Sequence, residues 1–244
     1  MREFRRKSLK RLGIRTFRGL NGFLGRQSLV GDPPVFDRRS FPCTGPLEAR
    51  WRGIRDECRR VLDARDRLPL LRTLSRDNQR IAAGDDWKVF VFHGFGYRSK
   101  LNCAACPETA AVLDAIPGLE NAWFSVLAPH ARIPAHRGIS KGLVRCHLAL
   151  IVPRERERCS LRIAGREVFW DEGKCLVFDD MNEHSVRNDT DEERAVLLLD
   201  VHRPLRAAGS LVSRGLLGAM RRTAYVREAY RAQVAWEREF YSSR

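Results

Sequence analysis

Two histidines in the second half of the chain have the spacing and surroundings of metal ligands. His136 stands two residues before Gly138 in the segment PAHRG, and His184 follows the acid-rich turn FDDMNE. Two neutral imidazoles from different strands are a common way to hold a borderline metal such as Fe(II). In many such sites a carboxylate stands two residues after the first histidine, where this chain has a glycine. The sequence therefore predicts a metal site with an open ligand position at Gly138.

A second group of candidate residues lies in the apolar segment VRCHLALIV, residues 144–152. Alternate side chains of a strand point to the same face, so Arg145 and His147 share a face with Ala149. Burying a cation among aliphatic side chains is unfavourable unless an anion accompanies it. We therefore expect a small anionic ligand beside Arg145 and His147.

Arg194 opens a later apolar segment, ten residues after His184. A guanidinium at this place can hold a carboxylate through two parallel hydrogen bonds, and the distal carboxylate of 2-oxoglutarate is such a group. Taken singly, a histidine or arginine of this kind is more often structural or solvated. The combination is specific, because a single stretch of predicted strands holds the candidates in the order Ser125, His136, Arg145, His147, His184 and Arg194.

The hydropathy pattern predicts the β scaffold that these residues need. From Trp123 onward the period is two, in the short segments WFSVLA, VRCHLALIV, SLRI, EVFW, KCLVFD, HSVRN and RAVLLLDV. About seven or eight short strands with no helical pattern between them predict a jelly roll or a small barrel. Helical periodicity appears at 47–65, 106–116 and 206–244, and a strand-like segment, WKVFVFHGFGY, lies between the first two. The predicted fold is mainly β, a double-stranded β-helix of the jelly-roll or cupin type with flanking α-helices.

The net charge of +15 is concentrated at the two ends of the chain. Residues 1–27 hold nine Lys or Arg and one acid, and residues 206–244 hold eight Arg and three acids. Segregated positive charge favours contact with an anionic membrane or a nucleic acid, and a solvated basic surface is the ordinary alternative. Nucleic acid is the less favoured partner, because no nucleic-acid-binding motif is visible.

The N-terminal segment FRRKSLKRLGIRTFRGLNGFLG has leucines and phenylalanines at mostly helical intervals among arginines. This pattern is typical of an amphipathic helix on an anionic membrane surface, and a mitochondrial presequence has a similar composition. No apolar run approaches the roughly 20 residues of a membrane span, and no secretory signal is recognisable. We expect a cytoplasmic protein that contacts the inner face of the membrane peripherally.

The seven cysteines are scattered along a chain too long to be a disulfide scaffold. Their number and distribution favour reduced thiols in a reducing compartment. Cys103 and Cys106 have the spacing of a redox or zinc half-site, but no second Cys/His pair follows at zinc-finger spacing. Structural thiols are the favoured interpretation, and the sequence does not decide whether these two cysteines pair.

Three long segments between about residue 87 and residue 204 resemble those of a known family: PAHRGISKGLVRCHLALIVP, WDEGKCLVFDDMNEHSVRN and RAVLLLDVHRP. They are similar to the aspartyl/asparaginyl β-hydroxylases and their relatives among the Fe(II)- and 2-oxoglutarate-dependent dioxygenases. The resemblance implies an enzyme that uses dioxygen and 2-oxoglutarate to hydroxylate an unactivated C–H bond. It also implies two iron ligands and four 2-oxoglutarate-binding residues, respectively His136 and His184, and Ser125, Arg145, His147 and Arg194.

The resemblance leaves the substrate open between an Asp or Asn side chain and a lipid acyl chain. In the protein-hydroxylating branch a glycine stands where Gly138 stands here, whereas the lipid-hydroxylating branch often has aspartate. Leu143, however, occupies the position at which protein-hydroxylating members carry a substrate-binding arginine. The N-terminal half, including CPETAAVLDAIPGLENAWFSVL, is more similar to the lipid-acting members. Because an absent carboxylate leaves a coordination position where chloride could bind, halogenation stays open beside hydroxylation.

The charge pattern and the resemblance together suggest a division of the chain into three segments. Residues 1–27 would be a basic amphipathic segment, 28–205 the dioxygenase-like domain with its β-helix core at 123–204, and 206–244 a basic helical extension. A function of another class stays open as well. In that alternative the chain is a non-catalytic, cupin-like module that associates with an anionic membrane or nucleic acid.

Overall fold

The structure is a computed structural model that describes residues 16–74, 79 and 84–242. Most of the predicted N-terminal amphipathic segment, residues 1–15, lies outside the described residues. Its remainder is helical over 16–26 and is called α1 here. No helix in the described part of the chain is long and apolar enough to cross a membrane.

Eleven strands of the described chain form two antiparallel sheets. The strands are β1 (Val35–Phe36), β2 (Trp87–Gly94), β3 (Tyr97–Arg98), β4 (Leu119–Leu127), β5 (Arg132–His136), β6 (Leu143–Ile151), β7 (Cys159–Ile163), β8 (Arg166–Val168), β9 (Cys175–Phe178), β10 (His184–Asn188) and β11 (Arg194–His202). The larger sheet has the order β1-β9-β6-β11-β4-β2-β3, and the smaller has the order β5-β10-β7-β8. This arrangement confirms the predicted jelly-roll fold, mainly β with flanking helices.

Two apolar layers lie on opposite faces of the larger sheet, which explains why its central strands are apolar on both faces. One layer fills the space between the sheets, where Val196 and Leu198 of β11 meet Ile133 of β5 and Val186 of β10. The other lies under the helices and includes Phe90, Phe124, Cys146 and Leu197 of the larger sheet with Ile54 and Cys58. The alternation predicted for residues 144–152 is confirmed, because Ala149 belongs to the inner layer while Val144, Cys146 and Leu148 belong to the helix-covered layer.

Seven further helices surround the sheets. They are α2 (Thr44–Ala49), α3 (Trp51–Leu62), α4 (Leu71–Leu74), α5 (Lys100–Ala105), α6 (Pro107–Asp114), α7 (Ala207–Met220) and α8 (Ala224–Ser242). The single helix expected over 47–65 is divided at Arg50 into α2 and α3. Glu57 of α3 is buried and accepts hydrogen bonds from the Glu108 and Thr109 amides at the start of α6, where a helix favours negative charge.

The C-terminal helix is part of the core. Phe240 of α8 is buried beneath the larger sheet, and Tyr97 of β3 donates a hydrogen bond to Glu237 of α8. The sheet also begins earlier in the chain than the core expected at 123–204, because β2 pairs with β4 along most of its length. All seven cysteines are buried and free, including Cys103 and Cys106.

Candidate active site

The two predicted metal ligands are brought together by strand pairing in the smaller sheet. His136 at the end of β5 and His184 at the start of β10 are direct cross-strand partners. Their ring centroids are 4.1 Å apart. Directly opposite residues of antiparallel strands point to the same face, so both imidazoles face the space between the sheets.

Both imidazoles are held in the tautomer that a metal ligand needs. The Nδ1 atom of His136 lies 2.8 Å from the Pro134 carbonyl oxygen, and that of His184 lies 2.9 Å from the Asn182 carbonyl oxygen. A carbonyl oxygen only accepts, so each Nδ1 carries the proton and the lone pair is on Nε2. Burial lowers the pKa of both histidines, that of His184 to about 3, so both rings are neutral near pH 7.

Gly138 is required by a close neighbour and not by its backbone conformation. Its amide donates to the Asp180 carbonyl oxygen at 2.7 Å, and a Cβ atom at this position would overlap the Asp180 carboxylate. The space that a side chain of residue 138 would fill is thus taken by a carboxylate from the loop before His184. Asp180 was missed by the sequence analysis, and burial raises its pKa to about 7 against the lowering effect of Arg145.

Arg145 is bound by two carboxylates. Its Nε and Nη2 atoms donate to Asp200 at 2.8 and 3.0 Å, and its Nη2 lies 3.2 Å from Asp180 Oδ2. Asp200 also accepts a hydrogen bond from the Asn121 amide at 2.9 Å. The cation is mostly buried, and these carboxylates raise the pKa of Arg145 against the lowering effect of burial. The predicted contact of Arg145 with 2-oxoglutarate stays a prediction, because its Nε and Nη2 donors already have acceptors.

Arg194, unlike Arg145, has no carboxylate partner in the described chain. It is 1% exposed, its Nη1 donates to the Ser125 carbonyl oxygen at 3.3 Å, and its guanidinium lies 4.9 Å from the centre of the Trp170 ring. Its Nε has no hydrogen-bond partner in the described chain, and no carboxylate there forms an ion pair with it. Burial therefore lowers the pKa of Arg194 to about 10.

Ser125 and His147 lie beside Arg194, and these three residues are called the cationic corner here. His147 is buried, its Nδ1 lies 3.4 Å from Trp170 Nε1, and its Nε2 has no partner in the described part of the structure. Burial and the neighbouring Arg194 charge hold the pKa of His147 well below its usual range. The Ser125 hydroxyl accepts a hydrogen bond from Trp87 Nε1 at 2.9 Å.

Phe178 connects the cationic corner with the histidine pair. Its ring centroid lies 5.0 Å from that of His147 and 5.7 Å from that of His184. The six side chains singled out by sequence order thus line one region between the sheets, together with Gly138. No cluster of three or more His, Cys, Asp or Glu residues suited to a metal ion is found in the described residues.

Four residues of this region escaped the sequence analysis: Trp170, Phe178, Asp180 and Asp200. A signal for Asp200 was present, because an aspartate inside the apolar segment RAVLLLDV needs a buried partner. The place of Asp180 depends on a loop that approaches Gly138, and a single sequence contains no sign of that approach.

A family comparison assigns this site to a class of hydroxylases. Residues 48–204 match the family model described as aspartyl/asparaginyl β-hydroxylase. The chain belongs to the aspartyl/asparaginyl β-hydroxylase family, and its characterised relatives are hydroxylases. The resemblance stated from the sequence is thereby confirmed.

Two relatives show how far the similarity extends. An ornithine lipid ester-linked acyl 2-hydroxylase of Rhizobium tropici is 38% identical over 87% of this chain and 76% of its own length. The human aspartyl/asparaginyl β-hydroxylase is 31% identical over 65% of this chain but only 21% of its own length. The chain thus spans about three quarters of the bacterial relative and about a fifth of the human one.

Among solved structures, a Pseudomonas putida prolyl-4-hydroxylase is 21% identical, with a TM-score of 0.40 over 64% of this chain and 87% of that chain. A cupin-domain protein of Salinispora arenicola is 13% identical, with a TM-score of 0.33 over 57% of this chain.

Proposed function

We propose that this protein is an Fe(II)- and 2-oxoglutarate-dependent hydroxylase that acts on an unactivated C–H bond. The observation that carries the proposal is the buried guanidinium of Arg194, which pairs with no carboxylate of the described residues and lies in the same inter-sheet region as two neutral histidines. A buried cation without a counter-charge costs several kcal/mol, and a bound dicarboxylate removes that cost.

The residues of the site fit both the Fe(II) ion and 2-oxoglutarate. His136 and His184 would hold the iron through Nε2, since their Nδ1 protons are bound to backbone carbonyls. Arg194 would bind the distal carboxylate of 2-oxoglutarate, with His147 and Ser125 beside it. When bound, iron and 2-oxoglutarate would activate dioxygen, so that one oxygen atom enters succinate as carbon dioxide leaves and the other becomes the hydroxyl group of the product.

The protein's own contribution is orientation and exclusion of water. Trp170 and Phe178 are buried and both lie against His147, so a bound acid would lie beside aromatic rings. The ion pairs of Arg145 with Asp180 and Asp200 hold the base of the site rigid. No side chain here needs to act as a general base.

We favour a lipid acyl chain as the substrate. Leu143, at the position where the protein-hydroxylating branch has a charged partner for its substrate, is 4% exposed and cannot pair with an aspartate. The bacterial lipid hydroxylase is also the relative that aligns with most of this chain. An Asp or Asn side chain is the second candidate, favoured by Gly138, which leaves room for Asp180 beside the site.

Succinate formation from 2-oxoglutarate tests the proposal. Purified protein with Fe(II), ascorbate and 2-oxoglutarate should release succinate, and a chelator should stop the release. His184→Ala should abolish it, whereas His130→Ala, a change of an exposed histidine outside the site, should not. A chain that binds membranes or nucleic acid but releases no succinate would instead be the non-catalytic module.

A further inference from the structure

An open apolar pocket lies between α8 and the inner face of the larger sheet. Val89, Val91 and Trp123 form its floor, and Val226, Ala229 and Tyr230 of α8 form its roof. Leu71 and Leu74 of α4 close one side. Such a lining suits a flexible hydrocarbon chain, because each methylene removed from water contributes favourably and no direction is imposed.

The pocket lies on the same inner face of the larger sheet as the candidate active site. Across the sheet Val91 pairs with Trp123, Trp123 with Leu198, and Leu198 with His147. At about 4.8 Å per strand, the Trp123 backbone lies about 10 Å from that of His147 on the same inner face. Tyr225 at the start of α8 also lines the pocket, and it lies near enough to Arg145 to contribute to the raised pKa of that residue. The side of the pocket formed by Trp123 and Tyr225 is therefore the side nearest the candidate active site.

A polar, hydrogen-bonded group lies at the Gln233 end of the pocket. Gln233 lies two turns beyond Tyr225, about 12 Å along the helix axis, and Ala229 lies midway. Gln233 donates to Glu237 at 2.9 Å, and Glu237 accepts from the Tyr97 hydroxyl at 2.8 Å. This hydrogen-bonded group sets a limit to the length of chain that the pocket can hold.

The open end carries positive charge. A neighbouring depression shares Gly94, Phe95, Tyr97, Val226 and Tyr230 with the pocket and adds Arg221 and Arg227. Arg221 is bound by the buried Glu120, but Arg227 donates to a backbone carbonyl and pairs with no carboxylate among the described residues. Arg222, exposed at the same helix junction, adds to the charge.

From these features we propose that the pocket is the acyl-chain site of an anionic lipid substrate. The headgroup would lie at the basic α7–α8 junction, the carbons next to it at Tyr225 and Arg145, and the tail along α8 toward Gln233. The inference rests on the proposed hydroxylase function and adds to it the place where the acyl chain binds and the residues that select its length.

Binding of octanoate, dodecanoate and palmitate, each below its micelle concentration, tests the pocket by calorimetry on the full chain. Burial of methylenes should strengthen binding by about fourfold per added methylene until the pocket is full. Ala229→Trp should abolish the gain from octanoate to palmitate while octanoate binding stays within about threefold. Ala229→Leu adds a smaller side chain that disturbs folding less. This variant should also prefer a shorter alkanoate than the wild-type protein does, but by a smaller margin. Ala235→Trp, on the exposed face of the same helix, should behave as the wild-type protein.

A separate experiment tests the basic α7–α8 junction as the site of the anionic headgroup. Arg227→Gln should weaken dodecanoate binding severalfold and leave dodecanol binding unchanged, whereas Arg238→Gln, exposed further along α8, should alter neither. Equal palmitate binding by the Ala229→Trp and Ala235→Trp proteins would overturn the pocket assignment. Failure of the hydroxylase proposal looks different: the wild-type protein would bind alkanoates by length yet release no succinate from 2-oxoglutarate.

Discussion

The guanidinium of Arg194 is buried against Trp170 and has no carboxylate partner among the described residues, whereas that of Arg145 has two. We predict that Arg194→Ala raises the 2-oxoglutarate concentration needed for half-maximal succinate release about thirtyfold or more, since losing a buried charge-assisted pair costs on the order of 2 to 5 kcal/mol. Stability toward urea should change little by comparison. Arg162→Ala, an exposed change on β7, is the control. An unaltered requirement for 2-oxoglutarate would remove Arg194 from the cofactor site.

The Asp180 carboxylate occupies the space that a side chain at position 138 would need. Gly138→Ala should therefore destabilise the fold by about 1 to 3 kcal/mol, the usual cost of overpacking, as measured by urea unfolding. In the double variant that also carries Asp180→Gly, the overlap is absent, so the two effects should be clearly non-additive. Strict additivity would mean that the carboxylate does not limit residue 138.

At the level of single residues, the sequence predicted which side chains share a face of a strand, because strand alternation decides this. Arg145 and His147 share a face with Ala149 because each is two residues from the next. The acids beside Arg145 were not predicted, because Asp180 reaches it from a loop and Asp200 from a strand distant in sequence. Residues that meet only through the tertiary fold leave no local pattern.

Among the elements, the strands from Trp123 onward were predicted closely, since each is a short alternating segment between turns. The place of β2 in the sheet was not, because two helices, α5 and α6, separate it along the chain from its partner β4. Pairing across an inserted helical segment has no periodic signal. The break between α2 and α3 at Arg50 was equally invisible in one continuous helical pattern.

The helix α8 is expected to be essential for stability. Phe240 is 3% exposed and contacts Phe90, with ring centroids 6.5 Å apart. Phe240→Ala should lower the free energy of unfolding by about 3 to 5 kcal/mol, the usual cost of removing a buried aromatic ring. Its neighbour Glu239 is exposed, and Glu239→Ala should change the free energy by less than about 0.5 kcal/mol. Similar effects of the two changes would mean that residues 206–244 form a peripheral extension.

For the whole molecule, the basic ends predict attraction to an anionic bilayer. Each Lys or Arg near such a surface contributes about 1 kcal/mol, and salt screens the attraction. The full chain should sediment with phosphatidylglycerol vesicles at low salt and be released at high salt. It should not sediment with phosphatidylcholine vesicles. A chain that begins at residue 28 should bind more weakly and still release succinate. Equal vesicle binding by both chains would leave the N-terminal segment without a membrane role and favour a soluble substrate.

The joint binding of Fe(II) and 2-oxoglutarate is most directly measured by visible absorption without oxygen. Added together to the wild-type protein, they should produce a weak charge-transfer band, which needs the iron and the acid in contact at one site. The band should be absent in His136→Ala and His184→Ala, should need far more 2-oxoglutarate in Arg194→Ala, and should be unchanged in Arg162→Ala. No band in the wild-type protein, or an equal band in either histidine variant, would contradict the proposed site.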